Sequence, residues 1–131
     1  MIDFIIPVPP VTKKNSQRIF IRNGRPFIMP SEKYKQYEQA VAPFVKAYAI
    51  DYAVNVRAVF YMPTRRRADL VNLQEALLDV LVKYGCLTDD NYNIVASMNG
   101  SQVKYDKDNP RTEVFITEVL QNGDNRQTEG Q

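Results

Sequence analysis

The sequence predicts an α+β domain, a mixed and largely antiparallel sheet carrying two helices. Three observations predict it. Short apolar or alternating segments lie at the start, middle and end of the chain, as strands require. Two longer stretches repeat their apolar residues every three or four positions, as amphipathic helices require. An Asn23-Gly24 dipeptide between two apolar runs marks a hairpin. With 131 residues, 44% of them hydrophobic and 24% charged, the chain has the length and composition of one globular domain.

In chain order, Phe4-Ile5-Ile6 reads as a short buried strand stopped by Pro7, Pro9 and Pro10. Residues 18–21 and 27–29 are the arms of the hairpin around Asn23-Gly24. Ser31, Glu32 and Lys33 open a helix with Tyr34, Tyr37, Val41, Phe44, Val45 and Tyr48 on its apolar stripe, and Pro43 is where it kinks or ends. Val54, Val56, Ala58 and Phe60 alternate with Asn55, Arg57 and Val59, the period of a strand. The second helix has the stripe Leu70, Leu73, Leu77, Val80, Leu81 and Tyr84, with Asp69 as its cap and Gly85 as its stop. Residues 94–103 and 112–119 complete the sheet. The domain therefore covers residues 1–120, and residues 121–131, which include no apolar side chain, are expected to be a disordered polar tail.

Composition removes whole classes of chemistry. The chain has no His and a single cysteine, Cys86, so zinc sites built on Cys and His are excluded, as are hydrolytic nucleophiles that need a histidine base. Cys86 reads as a small buried hydrophobe. Carboxylates, Lys, Arg, Tyr and hard metal ions remain. Asp3 stands where a signal peptide needs positive charge, and no stretch approaches the ~18 apolar residues of a membrane span, so a cytoplasmic, membrane-free protein is expected.

Net charge is only +2, but its distribution is uneven. Residues 11–25 include Lys13, Lys14, Arg18, Arg22 and Arg25 and no acid, and Arg65-Arg66-Arg67 follow Pro63. Such acid-free basic stretches suit phosphate contacts. The acids gather at Asp69, Glu75, Asp79, Asp89 and Asp90. At 100° per residue Asn72, Glu75 and Asp79 fall on one side of the second helix, away from its leucine stripe. Two readings stand here. In one, Asp69 is a helix cap, Asp79 pairs with Lys83, and Asp89-Asp90 is a turn. In the other the acids hold a hard divalent cation beside phosphate-binding arginines, the cation relieving their mutual repulsion.

The order Pro9-Pro10, Lys14-Asn15, Gly24-Arg25, then Arg65-Arg66-Arg67-Ala68-Asp69-Leu70-Val71-Asn72-Leu73 and Asp89-Asp90, resembles the RusA family of Holliday-junction resolvases across residues 1–119. The resemblance implies a homodimeric, Mg²⁺-dependent endonuclease, with Mn²⁺ an alternative ion, that cuts four-way DNA and needs no organic cofactor. It also implies a phage or prophage setting. Asp69 matches the family's first catalytic carboxylate, Asn72 the amide that follows the second, and Asp90 a later aspartate. Lys13, Lys14, Asn15, Arg18 and Arg65 to Arg67 become the DNA-binding set.

Two positions depart from the family pattern. Val71 stands where the family has its second catalytic Asp, and Glu75 where it has a lysine. Glu75 lies one helical turn beyond Val71, so its carboxylate reaches toward the missing one. The expected catalytic and metal set is Asp69, Glu75 and Asp90, with Asn72, Asp79 and Asp89 as additional candidate ligands. The competing reading is a branched-DNA binder or phage regulatory protein that kept the fold and lost the site.

Overall fold

A computed structural model describes residues 1–12, 17–30 and 32–120, with 17–20 and 27–30 described as backbone. Its main sheet has five strands in the order β1-β7-β4-β5, with β6 also paired to β4. These are β1 Ile2–Ile6, β4 Val54–Met62, β5 Val95–Ser97, β6 Gln102–Tyr105 and β7 Arg111–Glu118. β7 pairs antiparallel with both β1 and β4, whereas β5 and β6 run parallel to β4. β2 Gln17–Arg22 and β3 Arg25–Pro30 form a separate antiparallel hairpin. Its turn places Asn23 and Gly24 at φ 54° and 75°, the left-handed pair that this dipeptide tolerates. The sheet is mixed and mostly antiparallel, as its strand patterns predict.

Two helices, α1 Glu32–Val41 and α2 Leu70–Lys83, cover one face. Val54, Val56, Ala58 and Phe60 of β4 are buried in one cluster with Leu73, Ala76, Leu77, Val80 and Leu81 of α2 and Tyr34, Tyr37 and Val41 of α1. Leu77 is fully buried, so Leu77→Ala should lower stability by about 2–5 kcal/mol in denaturant unfolding. α2 stops at Gly85, whose φ of 79° allows the Gly85 N–H to reach the Val82 carbonyl and the Cys86 N–H to reach that of Leu81. Cys86 is buried, and that burial pushes its thiol up to about 11.

The first helix is shorter than its apolar spacing suggests. α1 ends at Val41 and a 3₁₀ turn, Ala42–Phe44, follows, because Pro43 lacks an N–H and cannot continue the ladder. Phe44 and Tyr48 are consequently exposed rather than in the core. The predicted strand over residues 94–103 is two strands. Gly100, at φ 86°, breaks it, and an added Cβ there would lie 2.6 Å from the Arg57 side chain. Ser101 Oγ accepts a bond from the Ala58 N–H across the break. Val59, expected opposite the core face, is buried too, since β4 is an interior strand between β7 and β6. The tail, residues 121–131, lies outside the described residues, as does Ser31. No helix among the described residues is long and apolar enough to cross a membrane.

Candidate functional site

The loop from β4 to α2 carries the three arginines. The Arg66 N–H donates to Thr64 Oγ1 at 3.3 Å, a local turn that leaves Arg65, Arg66 and Arg67 all exposed. Among the described residues neither Arg65 nor Arg66 forms an ion pair, and Arg65 lies over the Tyr105 ring at 4.1 Å. Arg67 Nε approaches Asp69 Oδ1 only to 3.9 Å between exposed side chains, a contact of little energy in water.

Asp69 occupies the N-cap position of α2 with extended backbone, yet its side chain makes no capping bond. Its Oδ2 instead accepts a bond from Asn72 Nδ2 at 3.3 Å. The cap reading of Asp69 is therefore wrong for its side chain, which is turned toward Asn72 and solvent. Val71, 71% exposed, stands beside this pair, and Glu75, also exposed, follows one turn on. At this spacing Val71 and Glu75 share one face of the helix.

Asp79 departs from the expected groove. It is half-buried, and its charge acts on the Tyr34 hydroxyl of α1, which burial first and Glu38 and Asp79 next hold well above the usual tyrosine range. Lys83, expected to pair with Asp79, reaches Glu38 Oε1 at 3.3 Å. The packing of α1 on α2 decides both, since Tyr84 also donates to the Glu38 carbonyl at 2.8 Å.

Asp89 and Asp90 lie in a tight exposed turn. The Asp90 N–H donates to Asp89 Oδ1 at 2.7 Å and Asn91 Nδ2 to Asp89 Oδ2 at 3.0 Å, and these bonds hold the Asp89 carboxyl below the usual range. The turn connects Thr88, whose N–H bonds the Ile50 carbonyl, to Ile94, whose carbonyl accepts from Val54. It thus sits at the start of β4. Asp69 sits at the other end, where Met62 and Ala68 line one cleft. α2, with 14 residues, spans about 20 Å, and β4, with nine, about 26 Å. Asp69 and Asp90 of one chain therefore lie at opposite ends of α2 and β4, whereas ligands of one Mg²⁺ lie about 2 Å from it.

Of the expected trio, Asp69 at the N-cap and Glu75 within α2 belong to its N-terminal half, and Asp90 lies past its C-terminal end. Among the described residues no group of three carboxylate or thiol side chains is placed to hold a metal ion. The donors suit a hard cation in kind, being carboxylate and amide oxygens, and a single chain supplies only part of a shell at either end.

A cleft of about 460 Å³ opens beside the loop that leads into Asp69, lined by Thr12, Lys33, Arg66, Arg67 and Ala68. Lys13, Lys14 and Asn15 follow Thr12 in sequence and lie outside the described residues, while Arg18 is described only by its strand position opposite Met29. A second hollow, of about 250 Å³, lies across the loop and is lined by Arg65, Arg66, Lys104 and Tyr105. Lys33, Lys104 and Tyr105 carry no motif of their own. Lys104 and Tyr105 reach the loop only because β6 pairs with the last residues of β4, Tyr105 opposite Met62.

Residues 7–117 match the family model described as Endodeoxyribonuclease RusA. A protein of Escherichia coli K12 named Crossover junction endodeoxyribonuclease RusA is 35% identical over 89 residues, which cover 65% of this chain and 70% of that protein. A protein of Enterobacteria phage 82 bearing that name matches with the same identity and coverage, and one of Shigella sonnei is 34% identical.

Proposed function

Because the chain belongs to the RusA endodeoxyribonuclease family, we propose that it is a divalent-metal-dependent endonuclease that resolves four-way DNA junctions and works as a homodimer. One observation carries this reading. Two exposed arginines free of ion pairs among the described residues, Arg65 and Arg66, lie within a few residues of an exposed Asp69 carboxylate that bonds the Asn72 side chain and makes no capping bond to the helix backbone.

The arginines hold the DNA backbone, since guanidinium matches phosphate in charge and in paired N–H geometry. Asn72 orients the Asp69 carboxylate. A divalent ion, which we take to be Mg²⁺ or alternatively Mn²⁺, would supply charge neutralisation at the phosphate and lower the pKa of bound water. Asp69, with Asn72 and Glu75, would hold it from one protomer. The separation of Asp69 from Asp90 within a chain supports a site completed by Asp90 of a second copy, and two such sites related by a two-fold axis suit paired cuts across a two-fold junction. A binder that has lost catalysis is the second reading, favoured by the exposed Val71 at the family's acidic position.

Incubation of the protein with a synthetic four-way junction and Mg²⁺ tests this reading. Paired nicks that disappear on chelation of the metal are expected. Binding that survives chelation with no cutting at any metal concentration would favour the binder.

A further inference from the structure

We infer that the hollow between the arginine loop and the β6 edge binds the phosphate backbone of a second junction arm, with Lys104 as a contact and Tyr105 as the residue that positions Arg65. The inference rests on the junction-nuclease reading and extends it to residues outside the motif. Arg65, Arg66 and Lys104 line this hollow and, among the described residues, no carboxylate does. Three converging cations without an acid repel one another and are relieved by an anion.

Arg65, unlike Arg111, which also pairs with Asp106 and Glu113, is held by an aromatic ring with no ion pair among the described residues. Its guanidinium lies 4.1 Å above the Tyr105 ring. The ring restricts a long side chain and covers one face of the guanidinium, yet leaves its N–H edge open for phosphate oxygens. Part of the ordering entropy is thereby lost before the ligand arrives. A lysine on an edge strand can also serve only to discourage strand pairing. The aromatic support of Arg65 across the same hollow has no such explanation.

Arg66 lines both this hollow and the larger cleft. The loop therefore stands as a ridge between two basic depressions. Backbones that diverge at a branch point can follow both depressions, whereas a single uninterrupted duplex engages one. The hollow thus favours branched over linear DNA.

The test measures binding without divalent metal to a four-way junction and to a linear duplex of matching arm sequence. Tyr105→Leu should weaken junction binding about fivefold and duplex binding less than about twofold. Tyr105→Phe, which keeps the ring, should recover most of that loss. Lys104→Gln should lower the slope of log affinity against log salt by about one for the junction alone. Equal losses on both DNAs would overturn the second-arm assignment, and so would wild-type affinities in Tyr105→Leu and Lys104→Gln. If Tyr105→Phe is as weak as Tyr105→Leu, the ring does not position Arg65. Wild-type protein that does not bind four-way DNA would overturn the junction-nuclease reading and this inference with it, whereas unchanged variants of a binding-competent protein overturn the inference alone.

Discussion

Asp69→Asn should abolish metal-dependent cleavage of a four-way junction, a loss on the order of a hundredfold or more in single-turnover rate, while junction binding survives or tightens. The substitution keeps the shape of the side chain and removes its charge. It leaves the fold nearly untouched, because the carboxylate makes no capping bond to α2 and its contact with Arg67 is exposed and long. Binding should not suffer, since one negative charge close to the DNA backbone is gone. Glu75→Gln should give a smaller loss, because Glu75 would reach the proposed site only from the next turn of α2. Parallel gel-shift and cleavage series separate the two effects. Loss of binding together with cleavage in Asp69→Asn would mean that the carboxylate organises the loop rather than a metal.

Mixing Asp69→Asn protein with Asp90→Asn protein should restore single-strand nicking although each variant alone is inactive. The reason is geometric. Asp69 and Asp90 stand at opposite ends of α2 and β4 within a chain, so a site that uses both draws one from each of two copies. In the mixed dimer one site combines both substitutions and the other combines both native carboxylates. The surviving site should nick one strand without the second, symmetric cut, so open junctions with a single nick should accumulate rather than resolved duplexes. Complementation is limited by subunit exchange, so the two proteins are best unfolded and refolded together. No nicking in demonstrably mixed dimers would place each active site within one chain and remove Asp90 from the metal shell.

Much of this protein could be read along the chain because the relevant signals are local. The helical spacing of Leu73, Leu77, Val80 and Leu81 defines α2, Gly85 stops it, and Asn23-Gly24 sets the hairpin, each through interactions within a few residues. The order of Pro9-Pro10, Lys14-Asn15, Gly24-Arg25, the Arg65 to Leu73 run and Asp89-Asp90 was equally legible, and taken together it marked the family. The extent of α1 was less so, for its apolar spacing runs past Pro43 while its hydrogen-bond ladder does not.

What depended on tertiary structure was the direction and partnership of these elements. Helix periodicity put Asp79 beside Asn72 and Glu75, yet packing against α1 brings its charge to bear on Tyr34 and draws Lys83 to Glu38. The sequence separation of Asp69 and Asp90 hardly indicates that they lie at opposite ends of α2 and β4, since that placement follows from the segment after α2 bonding to Ile50 and Val54 at the start of β4. Lys104 and Tyr105 come to the arginine loop through the parallel pairing of β6 with the end of β4. Side-chain periodicity and turn chemistry are properties of a few neighbouring residues, so the sequence alone determined them. Register between distant strands and the facing of helices arise from the collective burial of apolar surface, and only the folded chain decided those.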